Sequence, residues 1–509
     1  MAKNGALYFA SLALPALAAV FLIPVTVRAL GAVRFGLLAL AWAVAEGTGM
    51  FDLGLARTTV RFVADATVKG QDRLREIVLA SVSSQAAMGC VAGALVFGFA
   101  PFLVHHVFKV SPEVVPEAIA MFRVLALHVP ILLAAQALRA TLEGAQRFDI
   151  STALRIPGSL ASVVIPAIVA PAGGSLATIL WLLLAVRLLL LVINADAVRR
   201  VLLRGRWSMR THWRTLREML GYSGWVAVSA ALGPALGSFD RFMVGSIVGV
   251  TGLGFYTGAA ELSNRFFLIP VTAFAALLPA LADSEARGAR DRSLAACRAA
   301  RRQLAAVLLP LCLALFIFAP AILGGWLGPA FAAQGGTALR IMAVGVFLGG
   351  LAHLPLGVLY GAARPDLPAK IHLGEAVFYL PLTFTLVRAF GIPGAALSWT
   401  IRCSADLVLY EWATRRAIGR CAIDLAETAR TRRLSLLGFA LAAAFTLLWV
   451  SVSSSTAILT LVSLGFAGYG LLAWIRVFSV EERAAWMSML YRASTADTRL
   501  TSTRDKQPE

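Results

Sequence analysis

The sequence predicts an all-α, polytopic membrane protein of about 14 transmembrane helices, and three observations carry that prediction. First, 59% of its 509 residues are hydrophobic and only 14% are charged, whereas soluble domains sit near half apolar and a quarter charged. Second, the apolar residues gather into stretches of about 20, the length that crosses a bilayer as a helix. Third, 46 Lys and Arg against 27 Asp and Glu give a net charge of +19, and the cations fall in alternate inter-span segments, as positive-inside retention requires. This composition excludes a soluble enzyme, a nucleic-acid-binding domain and a disordered scaffold. The five Cys are widely spaced without a CxxC pair, so neither a disulfide framework nor a zinc site is implied.

In order along the chain, apolar stretches place spans at about 7–27, 36–60, 77–104, 116–140, 154–170 and 176–195. The first is too long for a signal-peptide core. A second set lies at 221–245, 253–282, 303–324, 336–360, 371–388 and 394–413, and a last pair at 434–452 and 456–476. With the N-terminus inside, cytoplasmic segments and span ends hold 36 of the 46 cations. Outside loops hold only Arg28, Arg34, Lys109 and Arg388, and six Arg fall within spans. A missed span would reverse every later loop and destroy that alternation, so both termini are expected in the cytoplasm of an inner-membrane protein. The loops leave no room for a folded soluble domain, which puts the chemistry inside the bilayer.

The chain reads as two halves. Leu30-Gly31-Ala32-Val33-Arg34-Phe35-Gly36-Leu37 opens the second span, and Val248-Gly249-Val250-Thr251-Gly252-Leu253-Gly254-Phe255 opens the eighth, 218 residues later. Six spans separate the copies, so they share an orientation, and such parallel repeats enclose a site near the membrane midplane. The expected organisation is an N-lobe (1–195), a basic cytoplasmic linker (196–220), a C-lobe (221–413), a helix pair (434–476) and a cytoplasmic tail (477–509). The linker, with Trp207, Trp213 and Leu216 among its Arg, suits the membrane surface better than RNA.

Beyond these patterns, Leu30 to Leu38, Phe51-Asp52-Leu53-Gly54-Leu55 and Val60-Arg61-Phe62-Val63-Ala64 resemble the opening signature of bacterial polysaccharide transporters. Asp240-Arg241, Gly254-Phe255-Tyr256, Ile269-Pro270, Leu278-Pro279-Ala280 and Gly391-Ile392-Pro393-Gly394 resemble later family segments. These are the Wzx-type O-antigen and exopolysaccharide flippases of the multidrug/oligosaccharidyl-lipid/polysaccharide exporter superfamily. The resemblance implies MATE-like alternating access between two six-helix lobes. It also implies transfer of an undecaprenyl-diphosphate-linked oligosaccharide to the outer leaflet, for lipopolysaccharide or exopolysaccharide synthesis.

Such a substrate carries a diphosphate and a hydrated head through a low-dielectric layer, so intramembrane charges are the candidates. Arg265, in the outer half of span eight, either lines the cavity or pairs with Glu261 at i,i+4. Asp240 and Arg241 in span seven bind substrate or anchor the interface. Arg57 and Arg61 suit phosphate capture, since guanidinium matches phosphate oxygens, and positive-inside anchoring explains them equally. Glu46, a mid-span carboxylate, could bind a proton or close a gate; Asp52 suits a bend in its helix. Arg28 either reaches the cavity mouth or snorkels. Arg123 and His128 in span four rank below these, and Arg402 with Asp406 reads as a structural i,i+4 pair.

Rival readings are a lipid II flippase or multidrug exporter of the same superfamily and, from another class, a multispan polymerase or ligase. The last is disfavoured by the missing large outside loop, DxD pair and HExxH spacing, and no GxxxxGK[ST] loop supplies ATP hydrolysis. No catalytic residue, metal or cofactor is expected. The expected partners are a lipid-linked oligosaccharide, membrane lipids, and the polysaccharide polymerase with its chain-length machinery; nucleic acid is not among them.

Overall fold

A computed structural model describes residues 2–203, 213–286, 290–362, 364, 366–418 and 468–469. The expected spans 434–452 and 456–476, apart from two residues of the second, the tail at 477–509 and the middle of the basic linker lie outside the described residues. What is described is helical throughout. The first six helices are α1 (Ala2–Gly47), α2 (Leu55–Lys69), α3 (Gln71–Phe102), α4 (Val115–Gly144), α5 (Phe148–Val169) and α6 (Leu176–Val201). They are followed by α7 (Trp213–Ile247), α8 (Val250–Ala286), α9 (Arg290–Leu327), α10 (Pro329–Gly361), α11 (Asp366–Phe390) and α12 (Ile392–Ile418). Eight helical segments among the described residues are long and apolar enough to cross a membrane. Large apolar side chains such as Phe21, Ile168, Val192, Phe378 and Val408 point outward, an arrangement that water would penalise and lipid favours.

The first two expected spans run into one another in α1, which turns at Gly31 (φ 70°). That left-handed backbone is open to glycine without strain. The second span departs from the expected continuous helix over 36–60. It stops at Gly47, tightens into a 3₁₀ turn at Thr48–Asp52, and restarts at Leu55 after left-handed Leu53 and Gly54. Asp52 explains the restart: both carboxylate oxygens accept the Ala56 N–H at 3.1 Å, capping the new helix.

Packing follows chain order within each half and crosses between halves in the middle. α3 lies on α4, α4 on α2 and α6, and α1 on α5; α10 is the hub for α8, α9 and α12, and α11 packs on α7 and α12. α1 also crosses α8, with an intimacy that only glycine permits. A Cβ at Gly36 would sit 2.0 Å from the Val250 carbonyl oxygen, and one at Gly254 would sit 2.2 Å from that of Ala32. The two contacts are the same contact exchanged, because each pair of equivalent residues is 218 apart. The offset recurs in the backbone, where the left-handed glycines Gly31 and Gly249, and Gly173 and Gly391, are also 218 residues apart.

Candidate functional site: a cationic intramembrane cavity

A cavity of about 570 Å³ opens among α1, α4, α5, α6 and α8, and its polar lining includes Trp42, Glu46, Arg155, Arg187, Glu261 and Arg265. These six come from four helices. Trp42 and Glu46 are one turn apart on the second limb of α1. Arg155 enters from the first turns of α5 and donates to the Ser11 hydroxyl at 3.3 Å. Arg187 sits mid-helix in the apolar α6, where its Nη1 lies 2.7 Å from Nδ1 of His128 on α4. A guanidinium can only donate, so Nδ1 accepts and Nε2 carries the hydrogen that goes to the Leu180 carbonyl at 3.0 Å. His128 is fully buried and acts as a fixed neutral post that aims Arg187.

On α8, Arg265 donates to Glu261 at 2.5 Å across one helical turn, and its Nε has no acceptor. Glu46 is not isolated: it accepts from Arg241 Nη1 of α7 at 2.8 Å, its own side chain 59% exposed and that of Arg241 only 7%. Behind this pair, Asp240 accepts the Arg241 backbone N–H at 2.9 Å and the hydroxyl of buried Tyr256. Three guanidinium groups against two carboxylates line the space, with a fourth guanidinium holding one of those carboxylates. An anion fits such a wall, and each of its carboxylates is partnered by an Arg.

The structure therefore brings Arg265, Glu261 and Glu46 together, with Arg241 and Asp240 directly behind. It places the other candidates elsewhere. Arg57 and Arg61 are exposed on α2. Arg28 borders a separate depression with Val25, Pro171 and Gly173. Exposed Arg123 lies over the Phe97 ring, 5.4 Å from its centroid, a contact that holds α4 to α3. Asp52 is a helix cap. Arg155 and Arg187 are additions to the lining. Positive-inside counting absorbs Arg155 as a span-edge anchor. Arg187, in the run Trp181 to Val192, carried the ordinary signal of an in-span charge but no spacing partner to set it apart.

Residues 25–335 match the family described as polysaccharide biosynthesis protein. The chain belongs to that family. A Shigella flexneri relative named as an O-antigen transporter is 26% identical over 415 residues, covering 81% of this chain and 96% of the relative. Among solved structures, the lipid II flippase MurJ in an inward closed conformation superposes with a TM-score of 0.74 at 10% identity, over 92% of this chain and 97% of that one. An inward-facing multidrug resistance MATE transporter of the MOP superfamily gives 0.66 at 16% identity, over 80% and 98%. The family member described here is thus a multi-pass membrane protein with the MATE-like fold.

Proposed function

We propose that this transporter flips an undecaprenyl-diphosphate-linked oligosaccharide across the bacterial inner membrane for O-antigen or exopolysaccharide assembly. The cavity wall of Arg155, Arg187 and Arg265 carries the reading. A diphosphate loses its hydration in a low-dielectric layer, and forked guanidinium donors replace that hydration with charge-assisted hydrogen bonds. In this mechanism the diphosphate displaces Glu261 from Arg265, and Glu46 remains on Arg241 as a latch between the two halves. The name of the Shigella relative supports the substrate class.

The same reading takes residues 1–195 and 221–413 as lobes of six spans each, joined by the basic segment 196–220, with 434–476 as a further helix pair and both termini cytoplasmic. The exchanged Gly36 and Gly254 contacts support a two-fold relation between the lobes. Exposed Arg57 and Arg61 then attract the phosphates at the inner surface, and Arg28 borders the exit on the outer side. The released product goes to the polymerase and its chain-length machinery. The test is complementation of a strain lacking this transporter. Arg265→Ala abolishes surface polysaccharide at normal protein abundance, and Arg265→Lys retains part of it. Full polysaccharide with Arg265→Ala contradicts the proposal.

A further inference from the structure

Two aromatic side chains plug the end of the molecule that the proposed topology puts outside, and each reaches from one half into the other. Phe108, in the connection from α3 to α4, is 2% exposed. Its ring stacks on Phe122 of α4 with centroids 5.9 Å apart and meets Phe242 of α7 at 6.5 Å. A Cβ at Gly245 of α7 would lie 3.2 Å from the same ring. Trp326, at the end of α9, reaches the opposite way: its Nε1 donates to the Val20 carbonyl of α1 at 2.7 Å. The two plugs are equivalent in the repeat. Phe108 and Trp326 are 218 residues apart, and so are Pro24, one helical turn after Val20, and Phe242.

The plugs differ in one respect, and the sequence supplies the cause. In an α-helix the Val20 carbonyl accepts from the N–H of residue 24. Pro24 lies inside α1, has no N–H, and its ring crowds that carbonyl away from the helix. An acceptor is left without its own donor among buried apolar neighbours such as Ala19, Ile23, Leu323 and Leu327, where an unmet carbonyl is costly. The indole of Trp326 supplies the missing donor. On α7, Phe242 stands in place of Pro24 and keeps its N–H for the helix. No acceptor is freed there, and the plug is Phe108, which has no donor to offer.

Ile23, one residue before Pro24, belongs to the lining of the cationic cavity, so the bond stands at that cavity's outer margin. We propose that Trp326 is the latch of the outer gate. Its bond to Val20 holds α9 on α1 while the cavity is shut from outside, and it breaks when the halves part there. Parting admits water, which satisfies the carbonyl and the indole separately, so the bond is firm when dry and releasable when wet. Phe108 closes the same end by packing alone. The latch rests on the two-half, outward-opening reading proposed above and not on the identity of the substrate.

The experiment measures distances between nitroxide pairs on the full chain in lipid nanodiscs, its native Cys replaced by Ser. One pair, at exposed Glu113 and Ala389, reads the outer ends; another, at exposed Thr67 and Lys370, reads the inner ends. Trp326→Phe keeps an aromatic plug and removes the donor. It is expected to raise the ratio of long to short outer distances about tenfold, the factor that about 1.4 kcal/mol of lost buried hydrogen bond gives, with the inner distances shortening in step. Pro24→Ala returns a helical donor to the Val20 carbonyl and is expected to raise the ratio as well. Combined with Trp326→Phe it adds nothing, because both act on one bond. Should Trp326→Phe fail to fold, Pro24→Ala, which mends the helix, carries the test. An unchanged ratio in both variants, or shifts that add in the double variant, overturns the latch. A lower unfolding temperature with the parent's distances makes the bond merely structural and also overturns it. Distances that shift as expected in a protein that moves no lipid-linked saccharide leave the latch standing and count against the substrate instead.

Discussion

At Arg265 two roles meet in one side chain, because it lines the cavity and is bound to Glu261. A double-mutant cycle separates them. If Arg265 serves only as the partner of Glu261, changing both to Ala is no worse than changing one, since a lone buried charge is costlier than none. If it binds the substrate, the double variant is as inactive as Arg265→Ala at normal abundance, read as exported polysaccharide per unit of protein. Glu46→Gln is expected to destabilise by an amount between the ~3 kcal/mol of a broken buried pair and the ~1 kcal/mol of an exposed one. Arg241 is deeply buried and Glu46 is half in the cavity; thermal unfolding in detergent measures the loss. The i,i+4 spacing of Glu261 and Arg265 was legible in the sequence, because a helix puts those positions on one face. The Glu46–Arg241 pair, formed by residues 195 positions apart, and the His128 post behind Arg187 were not, since only the tertiary crossing of helices creates them.

Helices themselves were well marked by hydropathy, and their interruptions less so. Gly31 and Gly36, with Gly249 and Gly254, stood out as a repeated pair. The structure assigns the members different tasks: the first of each pair turns the chain and the second admits a neighbouring backbone. Gly36→Val is expected to force α1 from α8, at a cost of about 1–3 kcal/mol for overpacking. Cysteines at flanking positions of α1 and α8 should crosslink readily in the parent and poorly in the variant; equal crosslinking contradicts the close contact. The break at Thr48–Gly54 was hidden because its residues continue an apolar stretch, and hydropathy is blind to backbone angles. Asp52 was legible only as a bend. Its cap on α2 predicts a loss of about 1 kcal/mol for Asp52→Ala, and little for Asp52→Asn, which keeps an acceptor; thermal unfolding distinguishes the two.

For the whole molecule, hydropathy and charge alternation are read segment by segment along the chain, which is why the polytopic fold was legible without any tertiary contact. The cavity was not, because it is bounded by five helices whose mutual packing no single segment encodes. The topology predicts that a reporter active only in the periplasm stays silent when fused after Glu509, and activity there would mean a miscounted span. The central claim is that a cationic cavity carries an anionic lipid-linked head across the membrane. It is tested most directly in vesicles containing the purified chain, by following the leaflet of a fluorescent polyprenyl-diphosphate-linked oligosaccharide. The account predicts transfer that depends on Arg155, Arg187 and Arg265 and fails for a glycolipid of the same sugar without phosphate. Equal transfer of the neutral glycolipid, or undiminished transfer when all three Arg are replaced by Ala in a folded protein, would contradict it.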